Sequence, residues 1–305
     1  MFDALTLDQI QTFLRVVDAG SFSRAARAEG RATSAVTYAV RKMEDQLGVA
    51  LFSRAEYRPQ LTDAGRALLP RARRIADEVA GLRLTARAIS AGVEPQIVMA
   101  VDAMFPMDRL IDPLRDFQAA YPGVQMRILV DTLGGTVRLI ADGHAAFGIA
   151  TDFALHELDL VKVPIADLTL VMVAAPSHPL ARMTGPVTPD ALKQYVQLVL
   201  SDRTEVTGAR DFSVFSGQTW RLSDLGAKHD MLRAGLGFGS LPAHMIADDL
   251  AAGRLVELAI AEGFAGGVRF PMVLTWQRER AMGPATRWLT QRLARTDGEK
   301  PHSPS

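Results

Sequence analysis

The chain contains no cysteine. Disulfides, thiolate catalysis, sensing by thiol oxidation and every cysteine-based zinc or iron–sulfur site are therefore excluded. Aromatic residues are sparse, at 7% of 305 positions, and the six histidines are scattered without the spacing that a metal site needs. No apolar run approaches the ~18 residues that cross a bilayer, so no membrane partner is expected. The opening MFDALTLDQIQTF lacks the basic and apolar regions of a secretory signal, which gives a cytoplasmic reading. There is no Gly-x-Ser-x-Gly elbow, no His-Glu-x-x-His pair and no phosphate loop. No catalytic residue, metal ligand or cofactor is assigned, and the chain is read as non-enzymatic. Net charge is absent as well, because 34 basic and 34 acidic side chains cancel. The cancellation is uneven: residues 1–90 carry 14 basic and 10 acidic side chains, net +4, and residues 91–305 carry 20 and 24, net −4. The basic excess sits at the N-terminus, where a nucleic-acid partner would place it.

What is present is a composition of 48% hydrophobic residues over a length that suits two or more domains. Near the N-terminus Leu7, Ile10, Phe13, Leu14 and Val17 recur at helical spacing, with Thr6 to cap and Gly20 to stop. Ser21 opens a second short helix that Gly30 closes. A third is predicted from Ser34 to Gln46, with Thr33 as its cap and Gly48 as its stop. Its apolar stripe is Ala35, Val36, Val40, Met43 and Leu47. Two short extended runs, Ala50–Phe52 and Pro59–Leu61, then flank a basic turn. A helix, a tight turn, a second helix and a hairpin make a winged helix-turn-helix, and one α-helix fits the major groove of DNA. The candidate contacts to double-stranded DNA are Ser21, Ser23, Thr33, Ser34, Thr37, Tyr38, Arg41 and Lys42, with Arg54 and Arg58 on the hairpin.

From Thr62 the pattern predicts a long helix to about Ser90, bent at Pro70. Leu68, Ile75, Leu82 and Ile89 lie seven apart, and Ala72, Val79 and Ala86 fill the second seam position. Such a seam suits a short coiled coil between two copies. Ala91 to Pro95 marks a boundary, after which strands and helices alternate, as in a parallel α/β architecture. The predicted organisation is a winged domain at 1–65, a linker helix at 62–91, an effector-binding domain at 92–295 and a disordered tail at 296–305.

The N-terminal segment strongly resembles the LysR-type transcriptional regulators. The matching residues are Phe13–Val16, Gly20–Ala26, Ala35–Thr37, Met43-Glu44, Leu47–Arg54 and Leu61–Gly65. The likeness covers about 60 residues at high specificity. Beyond them only the architecture, a Met172–Ala174 and His178–Leu180 segment, and Gly235–Pro242 match. The sequence departs from the family at Thr33, Ser34 and Tyr38, which changes the expected base preference. The resemblance implies a homodimer or homotetramer held through the linker helix. It also implies a two-lobed C-terminal domain, like that of periplasmic binding proteins, that senses a small-molecule effector. RNA polymerase is a further partner it admits.

In open α/β sheets ligands sit beyond the carboxyl ends of strands, next to helix N-termini. Applied to the predicted strands, that rule selects Asp102, Met104 and Phe105, then Thr132, then Thr151, then Ser201, Arg203 and Thr204, and last the Lys228–His229 stretch with His229 as the candidate. Ser201, Arg203 and Thr204 would suit an anion. Taken without its N-terminal motif, the C-terminal pattern admits a solute-binding or enzymatic α/β protein with an incidental helix-turn-helix.

Overall fold

The computed structural model describes residues 5–53, 59–152, 158–201, 213–260 and 267–295. The chain packs as two units, Met1–Arg87 and Ala88–Ser305.

The first unit begins with α1 (Leu7–Ala19), α2 (Phe22–Glu29) and α3 (Thr33–Leu47). Thr6 and Gln9 form a reciprocal cap: Thr6 Oγ1 accepts from Gln9 N, and Gln9 Oε1 accepts from Thr6 N at 2.7 Å. Gly20, Gly30 and Gly48 end the three helices in the left-handed region, where only glycine sits without strain. Ala32 caps α3, so Thr33 is its first helical residue rather than its cap. The core gathers Phe13, Val16, Ala25, Ala26, Val36, Val40, Met43, Leu51 and Phe52. Phe52 takes Phe13 and Phe22 edge-on, with centroids 5.6 and 5.3 Å away. Among the described residues of the hairpin, Phe52 and Leu61 form an antiparallel bridge, and Ser53 N donates to Gln60 O at 2.7 Å. Helix α4 (Asp63–Ser90) follows and continues through Pro70. Thr62 Oγ1 accepts from Gly65 N at 3.0 Å and so serves its first turn.

The second unit runs β1 (Gln96–Asp102), α5 (Asp108–Ala120), β2 (Gln125–Asp131), α6 (Gly134–Ala141), β3 (Phe147–Thr151), β4 (Leu160–Ala174), α7 (Pro189–Leu192), β5 (Gln197–Leu200), β6 (Thr219–Leu222), α8 (Leu225–Arg233), β7 (Phe238–Pro242), α9 (Ala247–Ala251), β8 (Val256–Glu257), β9 (Val268–Gln277) and α10 (Pro284–Ala294). The strand order is β2-β1-β3-β9-β4-β7-β5-β6, with β8 on β4. β1 pairs in parallel with β2 and β3, and β5 pairs in parallel with β6 and β7. β4 and β9 are antiparallel to each other and to their other long partners, so the sheet is mixed rather than parallel.

This pairing divides the unit into two lobes. One is built on β1–β3, the other on β5–β7, and the β4–β9 ribbon runs through both. The ladder of that ribbon shifts register between Pro164 and Ala166. Pro164 cannot donate a ladder hydrogen bond, and a bulge bends the strand that carries it. The bulge lies level with the last residues of β3, since Met272 and Val273 opposite it also pair with Thr151 and Ala150. Glu94, just before β1, fastens the start of the unit to α10 by accepting from Ala285 N at 3.1 Å and Thr286 N at 3.2 Å. Burial opposes its charge, but those hydrogen bonds prevail and hold its carboxyl below the ordinary range.

β4 is 15 residues long and starts at Leu160, ahead of the apolar run that begins at Leu168. Pro242 is followed by a 3-10 turn (Ala243–Met245) and then α9. The predicted tail at 296–305 lies outside the described residues.

Candidate functional site

Helix α3 presents two faces because its apolar residues recur at helical spacing. Val36, Ala39, Val40 and Met43 are buried, while Thr33, Ser34, Tyr38, Arg41 and Lys42 are exposed. Tyr38 is 66% exposed, an unusual placement for a tyrosine that touches nothing but water. Thr37 is half-buried, and its hydroxyl donates to Thr33 O at 2.9 Å. Ser21 and Ser23 share a hydroxyl contact of 2.9 Å at the start of α2. Arg54 and Arg58 lie outside the described residues.

The cations of this unit divide into two groups. Arg31 Nη1 donates to Asp8 at 3.0 Å and to Glu29 at 3.2 Å, and Arg15 also pairs with Glu29, whose side chain is nearly buried. These two arginines brace α1 against the end of α2. Arg24, Arg27, Arg41 and Lys42 are exposed and have no ion-pair partner among the described residues. They leave four uncompensated cations on α2 and α3. Glu44 explains the acidic residue that follows Met43: its Oε1 accepts from Leu51 N at 2.7 Å and Phe52 N at 3.1 Å. It ties the far end of α3 to the root of the hairpin.

The seam of α4 changes character along its length. Ala72 is buried in the core of its own unit, and Leu68 packs against that core. Ala72 is thus engaged within its own unit, and Leu68 remains half-buried beside it. Further on, Ile75 is 44%, Leu82 69% and Ile89 57% exposed, with Val79 half-buried and Ala86 exposed beside them. The free stripe therefore starts one heptad later than the sequence pattern.

In the second unit a cleft opens between the lobes. Met104 and Leu133 line it from one side, Leu170 and Phe270 from the ribbon, and Leu198, Leu200, Leu225, Lys228 and Ser240 from the other lobe. Its cavity volume is about 30 Å³, room for one or two waters, so a larger guest requires the lobes to part.

Asp102 stands behind this wall and does not line it. It is fully buried, and it accepts from Met104 N at 2.9 Å and Leu133 N at 3.1 Å. Desolvation pushes its carboxyl up to about 7, against those two hydrogen bonds and with help from Asp131. Leu133 has φ of 50°, a strained value for a branched side chain, and the bond to Asp102 holds it there.

Of the other predicted effector contacts, Met104 reaches the cleft and several do not. Phe105 is packed in the core. Thr132 and Thr151 are buried and absent from the lining, with hydroxyls that have no hydrogen-bond partner among the described residues. Ser201 sits half-buried at the end of β5, and its hydroxyl donates weakly to Leu222 O at 3.4 Å. Arg203 and Thr204 lie outside the described residues. His229 is a structural residue: its Nε2 meets Asp249 Oδ2 at 2.6 Å, and Asp249 also binds Arg254. The neighbouring Lys228 is the residue that faces the cleft.

The family description "Bacterial regulatory helix-turn-helix protein, lysR family" matches residues 7–66, and "LysR substrate binding domain" matches residues 90–297. The chain belongs to the LysR family of transcriptional regulators. Among similar proteins, the HTH-type transcriptional regulator PunR of Escherichia coli is 30% identical over 288 residues, covering 92% of this chain and 91% of PunR. The probable regulator YhaJ of the same species is 28% identical over 292 residues, covering 95% and 96%. The H2O2-bound form of an OxyR mutant from Corynebacterium glutamicum has the same fold, with a TM-score of 0.52 at 19% identity, over 95% of this chain and 94% of that one.

This LysR-family chain is thus a DNA-binding transcriptional regulator with an effector-binding domain. The sequence singles out the Lys228–His229 stretch but takes His229 rather than Lys228 as the candidate, because a lysine in an amphipathic helix normally reads as solvated. An apolar groove that the sequence does not single out lies between α5 and the edge strand β2, bordered by Ile111, Leu114, Met126 and Ile128. Ile111 is 54% and Val130 on the same strand 54% exposed. No helix among the described residues is long and apolar enough to cross a membrane.

Proposed function

We propose that the exposed side of α3 reads base edges and phosphates in the major groove, that the free stripe of α4 pairs two copies, and that the inter-lobe cleft takes the effector. The observation that carries the first part is the polar, uncompensated face of Tyr38, Arg41 and Lys42 opposite a fully buried one. Thr33, Ser34 and Thr37 lie on the same helix, and Ser21 and Ser23 at the start of α2 suit phosphate contacts. Pairing through Ile75, Leu82 and Ile89 presents two such helices to two half-sites. The α5–β2 groove offers a second apolar surface for self-association, which suits a tetramer.

An effector that binds between the lobes changes their separation about the Pro164 bulge, and this re-spaces the paired DNA-reading units and alters DNA bending. The regulator acts in the cytoplasm, and RNA polymerase is a further partner for it on DNA. The experiment is to enrich an operator from random duplexes with the full chain and then compare Arg41→Ala. Operator affinity falls by about 1–3 kcal/mol if Arg41 contacts DNA. Unchanged affinity removes α3 from the role given to it.

A further inference from the structure

Among the described residues, three that are buried carry carboxyl or ammonium groups: Asp102, Lys228 and Asp249. Asp102 accepts two backbone N–H groups, and Asp249 accepts from Arg254 and meets His229. Lys228 differs. It is 3% exposed, lines the cleft, and has no hydrogen-bond or ion-pair partner among the described residues. A buried ammonium without a counter-charge is strongly disfavoured unless something that visits the site compensates it. The lysine stem runs close to the bare backbone of β7: a Cβ on Gly239 would lie 2.5 Å from Leu198 O, a clash that only glycine avoids, and 3.3 Å from Lys228 Cε.

The remaining chemistry of the cleft narrows the guest. Its amide, on Gln197, is largely engaged: Nε2 donates one hydrogen to Ser213 O at 2.6 Å, and Oε1 accepts from Phe215 N at 2.7 Å and Ser216 N at 3.1 Å. Asp102 accepts from the Met104 and Leu133 backbone and is not part of the lining. Among the described lining side chains that leaves one ammonium, the second Gln197 N–H, the Ser240 hydroxyl and apolar walls from Met104, Leu198, Leu225 and Phe270. One positive charge in such walls balances one negative charge. A dianion would keep a surplus charge in a poor solvent, and a cation would be repelled.

We infer that the effector of this regulator is a small monocarboxylate with an apolar body, whose carboxylate seats on the Lys228 ammonium. The inference rests on the cleft being the effector site. Burial alone pushes the Lys228 ammonium down to about 7 in the empty cleft, and a bound carboxylate would restore its charge. Binding therefore draws a proton from solution when the pH is above neutral.

The test uses the full chain and its Lys228→Met variant with butyrate and benzoate as probes, each against its own amide. Thermal shift reads binding, and hydrogen exchange reads where it occurs. A carboxylate should raise the melting temperature where its amide at equal concentration does not, and Lys228→Met should weaken that binding by about tenfold or more. Methionine has nearly the lysine stem's volume and needs no counter-charge, so the variant without ligand should melt at the wild-type temperature or above. Equal binding of acid and amide overturns the inference. So does carboxylate binding that survives in Lys228→Met, or the absence of carboxylate binding at about 10 mM. An amide that protects β5 and the backbone of Leu133 keeps the cleft as the effector site while removing the anion. A carboxylate whose protection falls elsewhere removes the cleft itself.

Discussion

Glu44 shows how one side chain connects the DNA-facing helix to the element behind it. Its carboxylate holds two consecutive backbone N–H groups, of Leu51 and Phe52, where the chain leaves α3 for the hairpin. Glu44→Ala strands both donors at a half-buried site. Stability of the first unit should fall by about 1–3 kcal/mol in denaturant titration, and operator affinity should fall with it. Glu44→Gln keeps one acceptor and should recover most of the loss. If the alanine variant unfolds like wild type, the tie is not structural. Lys228 and Asp102 make a second prediction, since each has a pKa displaced toward 7 from an opposite side. Folded Asp102 keeps its proton up to about 7, whereas the unfolded carboxyl loses it near 4, so this group's contribution falls as the pH rises through that window. Lys228 acts above it. The unfolded amine stays protonated to about 10 while the folded one does not, so stability rises from neutral pH upward. Together they put a minimum near pH 7. Lys228→Met should remove the upper limb, worth on the order of a few kcal/mol, and leave the lower one. A variant curve that still climbs above neutral pH would assign that limb elsewhere.

Helix stops were legible in the sequence because they depend on local backbone chemistry. Gly20, Gly30 and Gly48 each take the left-handed conformation expected of a terminating glycine. Strands that depend on tertiary pairing were legible only in part. The first half of β4 contains Lys162, Pro164 and Asp167, which break the apolar run, yet β9 pairs with it along its whole length. β6 is only four residues long, too short for the alternation of Trp220 and Leu222 to stand out, and β5 offers it a parallel edge. Lys228 and His229 are adjacent on α8, about 100° apart around the helix, and only packing decides which of them meets the cleft. Heptad phase in α4 was legible, but its starting point was not, since nothing local says that Ala72 packs inward. The shorter stripe makes a definite prediction. Leu82, at 69% exposure, lies at its middle. Leu82→Glu would place two carboxylates in the pair's apolar seam and should raise the dissociation constant about a hundredfold, equivalent to about 2.7 kcal/mol, in sedimentation equilibrium. The same change at Ala72 would instead unfold the first unit, because that side chain is already in its core. A Leu82→Glu protein that stays associated would shift self-association to the α5–β2 groove.

Across the whole chain the charge sums to zero, so a general attraction to nucleic acid is not available to it. Binding must come from a few well-placed cations. Arg15 and Arg31 are tied to Glu29, Arg66 to Asp63 and Arg73 to Asp18. Arg24, Arg27, Arg41 and Lys42 remain uncompensated on the two helices of the motif. Each phosphate that such a cation neutralises adds about 0.9 to the slope of log affinity against log salt. A dimer that uses all four on both copies would reach a slope near about −7, before any contribution from Arg54 and Arg58. The slope also separates two roles that affinity alone confuses. A phosphate contact at Lys42 predicts that Lys42→Ala flattens the slope by about 2 across a dimer and weakens operator and random DNA alike. A base contact at Arg41 predicts a loss of about 1–3 kcal/mol confined to the operator, with a much smaller change on random DNA. If both variants flatten the slope and weaken random DNA to the same extent, α3 positions the protein on DNA without reading it, and specificity must then arise from the hairpin or from DNA shape.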